Sequence, residues 1–139
     1  MINLLDAVPT DRPHLLVQSG PDDLGLRHLC IQNNAEYVSY RQDLLARISG
    51  NERFLVLDRN IDRELDAVRT ICVKLQARVI VLDGLDVVIT YLRARSPIFE
   101  NIFVHRLLNM RQLEGVLWVA LPATLVPEDW PTLRLKRLD

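Results

Sequence analysis

Apolar residues fall along this chain in two alternating rhythms. Short aliphatic runs bounded by proline, glycine or acid are separated by longer stretches in which apolar positions recur every three or four residues. His14 to Gln18 is the first short run, entered through Pro9 and Pro13 and read as a strand. Asp22 or Asp23 can cap the following helix, which carries Leu24, His28, Leu29 and Ile31 at roughly helical spacing up to Asn33 and Asn34. Glu36 to Tyr40 predicts a second strand, followed by a short helix through Leu44, Leu45 and Ile48 that stops at Gly50. Phe54 to Asp58 has no period of its own; an extended segment is favoured over the first turns of a long helix. A helix then starts at about Ile61, with Leu65, Val68, Cys72 and Leu75 on one face.

Arg78 to Asp83 is the clearest strand, with four consecutive aliphatics as in a central parallel strand covered on both faces. A helix through Val87, Ile89, Tyr91 and Leu92 follows. After a break at Ser96-Pro97, a second helix is predicted from Phe99 to about Leu113, ended by Gly115. Val116 to Leu121 reads as another buried strand, and Leu133 to Leu138 as a last strand at a sheet edge. At the start of the chain, Ile2, Leu4 and Leu5 predict a helical turn covering the edge or bottom of the sheet. Alternating strands and helices in 139 residues predict one α/β domain over 1–139: a three-layer αβα sandwich with a mainly parallel five-stranded sheet.

Composition narrows the function classes. A net charge of -1 provides no global attraction for nucleic acid or anionic lipid, and no run approaches the roughly 20 apolar residues of a membrane span. Of the seventeen basic residues only Lys74 and Lys136 are lysines. Cys30 and Cys72 sit in apolar stretches without metal-like spacing, which predicts buried thiols in a reducing, cytoplasmic setting. Trp118 reads as a core residue and Trp130 as a cover.

Gly20-Pro21-Asp22-Asp23-Leu24-Gly25-Leu26-Arg27 has the glycine spacing of a phosphate-binding loop between a strand and a helix. Val79-Ile80-Val81-Leu82-Asp83 is an acid-tipped strand about sixty residues later. Together they resemble the Walker A and Walker B motifs of P-loop NTPases of the AAA+ and RecA-like type. Val116 to Leu121 resembles the next central strand and Leu133 to Leu138 the last strand of that core, so the resemblance covers nearly the whole chain. It implies a P-loop NTPase-like fold without the family's helical lid. The VIVLDGLD segment is also similar to small stand-alone ATPase subunits of phage-defence systems.

The resemblance also implies which groups are missing. Leu26 stands at the place of the phosphate-binding lysine and Arg27 at that of the Mg²⁺-associated hydroxyl. Gly84 stands at the place of the water-polarising glutamate, with Asp86 three residues on as a substitute. Thr124 is the polar residue nearest the sensor position. Asp22 and Asp23 place carboxylates where a phosphate would sit. Gly20, Gly25, Leu26, Arg27 and Asp83 thus form a vestigial nucleotide site. A strand-to-helix turn without ligand is favoured for the glycines, and a cap or hydrogen-bond acceptor for Asp83 over a metal ligand.

The implied function is a catalytically inactive pseudo-ATPase, a protein-interaction or regulatory subunit of a DNA-associated or defence-type complex. Its partner is an active ATPase or a second copy of itself; no catalytic residue, metal or cofactor is assigned beyond residual ATP and Mg²⁺ binding. Two alternatives stand beside it. One is an atypical ATP-binding NTPase in which Arg27 and Asp86 replace the missing charges. The other is a nucleic-acid-binding or trans-acting basic patch of Arg93, Arg95, Arg134, Lys136 and Arg137, with Arg106 and Arg111 near it. His28 and His105 read as core-edge or surface residues.

Overall fold

The computed structural model describes residues 2–20, 23–48 and 57–138. The chain runs β1 (His14–Gln18), α1 (Asp23–Gln32), β2 (Glu36–Ser39), α2 (Tyr40–Ile48), α3 (Ile61–Leu75), β3 (Val79–Asp83), α4 (Asp86–Arg95), α5 (Pro97–Leu108), β4 (Val116–Pro122) and β5 (Leu135–Leu138). Every strand pairing is parallel, and the order across the sheet is β2-β3-β4-β1-β5. All five carboxyl ends therefore lie along one edge, and β5 is an edge strand as its alternating sequence predicts.

Strand alternation divides the core in two. Leu15, Val17, Ile80, Leu82, Leu117 and Val119 pack with α2 to α5 and Trp130 on one face. Leu16, Val79, Val81, Trp118 and Ala120 pack on the other with Leu26, Leu29 and Cys30 of α1 and with Leu4 and Ala7. Both faces of the central strands are thus buried, which is why their sequences are largely continuous apolar runs. Helical or coil layers on both faces of a five-stranded parallel sheet are consistent with a three-layer sandwich. Among the described residues no helix is long and apolar enough to cross a membrane.

Several local expectations are revised. The buried face of α1 consists of Leu26, Leu29 and Cys30, spaced i, i+3, i+4, while Leu24 and Ile31 point to solvent on the opposite side. The N-terminal turn lies on the α1 face of the sheet: Leu4 is fully buried and its carbonyl accepts a hydrogen bond from Trp118 Nε1 at 2.8 Å. Tyr40 begins α2 instead of ending β2. Residues 51–56 and Gly50 lie outside the described residues; Leu57–Arg59 is a single 3-10 turn, not a strand.

The second half departs from expectation at α5, which ends at Leu108, about five residues early. Met110 and Leu113 still reach the core, but from irregular backbone held by Asp11, whose carbonyl accepts Leu113 N–H at 3.0 Å and whose Oδ2 accepts Gln112 N–H at 3.2 Å. Gly115 does not end a helix; it sits where a Cβ would come within 2.5 Å of the Ala77 carbonyl oxygen, so the chain can approach β3 there only as glycine. At the C-terminal end, Thr132–Arg134 forms a 3-10 turn and the strand is only Leu135–Leu138.

Candidate functional site

The carboxyl ends of β1 to β4 enclose an open cleft of about 610 Å³. β1 and β4 are neighbours, yet α1 leaves β1 over one face while the segment after β4 crosses the other, carrying Leu125, Val126 and Trp130. Such a reversal opens a crevice outside the sheet, where ligands of parallel α/β folds bind. Four short segments line it: Gln18, Ser19 and Gly20 after β1; Tyr37, Ser39, Arg41 and Gln42 around the start of α2; Asp83, Gly84 and Asp86 after β3; Pro122, Ala123 and Thr124 after β4.

Asp83 anchors the middle of the cleft. Its Oδ2 accepts a hydrogen bond from the Tyr37 hydroxyl at 2.6 Å. Tyr37 is in register with Val81, so its ring reaches two residues along β3 to meet the acid. The guanidinium of Arg27 lies over the Tyr37 ring, 4.7 Å from its centroid, which ties α1 to the same group. Beneath them Cys30 is buried; burial first, and then the Asp83 charge, push its thiol up to about 11. A thiol so placed stays protonated and inert at neutral pH.

Next to Asp83, Gly84 takes φ +97°, and a Cβ there would sit 3.2 Å from the Arg41 backbone nitrogen. The missing side chain thus permits α2 to close on the end of β3. That closure puts Arg41 and Gln42 into the cleft. The Gln42 N–H bonds to Ser39 Oγ at 3.3 Å, so Ser39 starts the helix in the manner of a capping residue.

A buried polar cluster holds α2 in place. The Glu64 carboxylate on α3 is wholly buried and accepts from the Tyr40 hydroxyl at 2.5 Å, from Arg47 Nη2 at 2.8 Å and from Arg63 Nε at 2.9 Å. Burial alone would raise the Glu64 carboxyl, but the bonds from Arg47, Tyr40 and Arg63 outweigh it and hold the group below its ordinary 4.5. Burial, reinforced by the hydrogen bond to Glu64, raises Tyr40 far above the ordinary phenol range.

The structure brings together some of the residues singled out from sequence and separates others. Gly20, Asp83, Gly84, Asp86 and Thr124 share the cleft. Leu26 does not line it; its side chain is 0% exposed, packed in the α1-side core. Gly25 lies half-buried within α1, and Arg27 stands at the rim on Tyr37. Pro21 and Asp22 lie outside the described residues, so the expected filling of the loop by its acids falls there. A Cβ on Gly20 would meet nothing within 4 Å.

Most of the basic residues are engaged by neighbouring groups. Arg134 is buried, donating to the carbonyls of Pro13 at 3.1 Å and Leu108 at 3.0 Å, and burial lowers its pKa. Arg93 is paired with Glu100 at 2.7 Å. Arg95 sits by Tyr91, with its guanidinium 5.5 Å from the ring centroid. Lys136 lies over Trp118 and bonds the Asn3 carbonyl, whereas Arg137, its neighbour on β5, points to the opposite face. Arg106 pairs with Asp62, and Arg111 is exposed. His28 and His105 are both exposed.

The β2–α2 contribution to the cleft, Tyr37, Arg41 and Gln42, was not singled out from the sequence. Its local signal is the Ser39-Tyr40-Arg41-Gln42 pattern of a capping box, which marks a helix start at the end of β2. Among the described residues no group of three or more His, Cys, Asp or Glu side chains is placed to hold a metal ion. The chain matches no protein-family model, and no curated protein or solved structure is significantly similar to it.

Proposed function

We propose that the chain is a degenerate P-loop NTPase-like core of the AAA+ or RecA-like type that does not turn over nucleotide and acts as a protein-interaction or regulatory subunit. The observation that carries this reading is the fate of the lysine place. Leu26 is sealed in the core beneath the sheet, so that no flexible cation at that position can reach the cleft. The sheet supports the same reading. The glycine-loop strand β1 and the acid-tipped strand β3 are separated by β4, with both ends opening on one cleft. Within it Asp83 is bonded to Tyr37, and Gly84 puts no carboxylate at the place of the water-polarising glutamate.

The test is phosphate release from ATP with Mg²⁺ by the purified chain, alongside its melting temperature. No turnover above background and no change in turnover on Asp83→Asn are expected. Turnover abolished by Asp83→Asn overturns the reading.

The presence of Arg41 and Asp86 in the cleft favours a second reading, an atypical nucleotide-binding protein. In it Arg41, not Arg27, supplies the cation, because Arg27 is stacked on Tyr37 at the rim. That reading requires a rise in melting temperature with millimolar ATP and Mg²⁺ that Arg41→Ala removes.

A further inference from the structure

Two surfaces of the molecule remain uncovered, and they complement each other. On α1, Leu24, Arg27, His28 and Ile31 form an outward stripe at i, i+3, i+4 and i+7; Leu24 is 81% and Ile31 78% exposed. This is the anchor spacing by which a helix lies in a groove. On the opposite side of the sheet, an open groove of about 810 Å³ runs between α5 and the segment following β4. Ile98 and Ile102 of α5, 66% and 37% exposed, line it with Leu125 and Val126, and Glu128 and Asp129 stand on its rim. Neither acid makes an ion pair among the described residues, while the Arg93 guanidinium at the same groove is neutralised by Glu100.

We infer that the groove receives the α1 stripe of a second copy of this chain. The two match in length: Leu24 to Ile31 and Ile98 to His105 each span seven helical steps, about 10 Å. They also match in chemistry, with two aliphatic anchors on one side and Ile98, Ile102, Leu125 and Val126 on the other, and Arg27 against Glu128 and Asp129. The stripe lies on the face of the sheet away from the groove, so a copy cannot fill its own groove. The contact is therefore heterologous, and repeating it gives a ring if the rotation closes or a filament if it does not. This inference rests on the interaction-subunit reading and names that subunit's partner as itself.

Sedimentation velocity and light scattering on the full chain from about 1 to 100 µM test it, a range suited to a small and partly polar interface. The wild type is expected to grow with concentration past the dimer, and to grow less at high salt. Leu24→Asp/Ile31→Asp spoils the stripe and Ile98→Asp/Ile102→Asp the groove. Each variant alone is expected to lose association at least about tenfold. Mixed together they retain one good stripe and one good groove, so they form a one-to-one heterodimer and stop there. Arg27→Glu and the Glu128→Arg/Asp129→Arg pair repeat the design with charge alone, at three exposed positions.

A wild type that stays monomeric at the highest concentration overturns the inference and leaves the groove to another protein. So does a mixture that stays monomeric, or an assembly that halts at a symmetric dimer. Nucleotide turnover, by contrast, overturns the interaction-subunit reading whatever the state of assembly.

Discussion

The Tyr37 hydroxyl donates a 2.6 Å hydrogen bond to Asp83 Oδ2, so the acid at the tip of β3 is held by the protein itself. Tyr37 is supplied by the neighbouring edge strand and is in turn covered by Arg27. Tyr37→Phe removes the donor and keeps the ring. The expected result is a loss of about 1 kcal/mol in urea unfolding, the size of one partly exposed hydrogen bond to a charged acceptor. An unchanged unfolding midpoint would show that the bond contributes nothing.

Leu26 distinguishes a closed lysine place from an open one. Leu26→Ala is expected to cost about 3 kcal/mol, as for other fully buried leucines. Leu26→Lys is expected to cost at least as much, because the ammonium is carried into an apolar core. If the lysine variant unfolds at the wild-type urea concentration, the position faces the cleft after all.

Three glycines form a graded series. Gly115→Ala, with the Ala77 oxygen at 2.5 Å and φ +76°, is the most damaging. Gly84→Ala, at φ +97° and 3.2 Å from Arg41 N, is expected to cost about 1–3 kcal/mol. Gly20→Ala, with open space around it, should fall within about 0.5 kcal/mol of wild type. Denaturant midpoints for the three variants check the ranking.

Acid acts on two buried groups. His14 is 1% exposed, its Nε2 bonds the Pro9 carbonyl at 2.7 Å, and burial, with lesser help from Arg134 and Lys136, lowers its pKa below the ordinary 6.5. The unfolded chain then binds the proton more tightly than the folded one, so stability is full above 6.5 and falls as pH drops below it. Glu64, also lowered, contributes stability above its ordinary 4.5 that is lost as pH falls through the folded value. Urea midpoints across this range should decline in two stages, and His14→Phe should remove the upper one. A flat profile from pH 7 to about pH 5 contradicts the assignment to His14.

The amino-acid sequence by itself determined the strands and the class. Val79 to Leu82 and Val116 to Leu121 are apolar at every residue, as befits a strand buried on both faces, and Ser96-Pro97 starts α5 with Ser96 Oγ accepting the Ile98 N–H at 3.2 Å. The acid at the end of β3 and the glycine after β1 were legible for the same local reason, since strand ends are marked by their own residues.

What tertiary structure decided was which of two plausible faces a helix buries and which side chains meet. In α1, Leu24 and Ile31 have the same hydrophobicity as Leu26 and Leu29; only the position of Leu16 and Trp118 beneath the helix selects the latter pair. Tyr37 with Asp83, and Arg41 with Gly84, are 46 and 43 residues apart or come from adjacent strands joined by long connections, and local periodicity carries no information about such pairs. What the basic residues near the C-terminus touch was decided in the same way, because alternation along β5 and the burial of Arg134 depend on the neighbours that the sheet order provides.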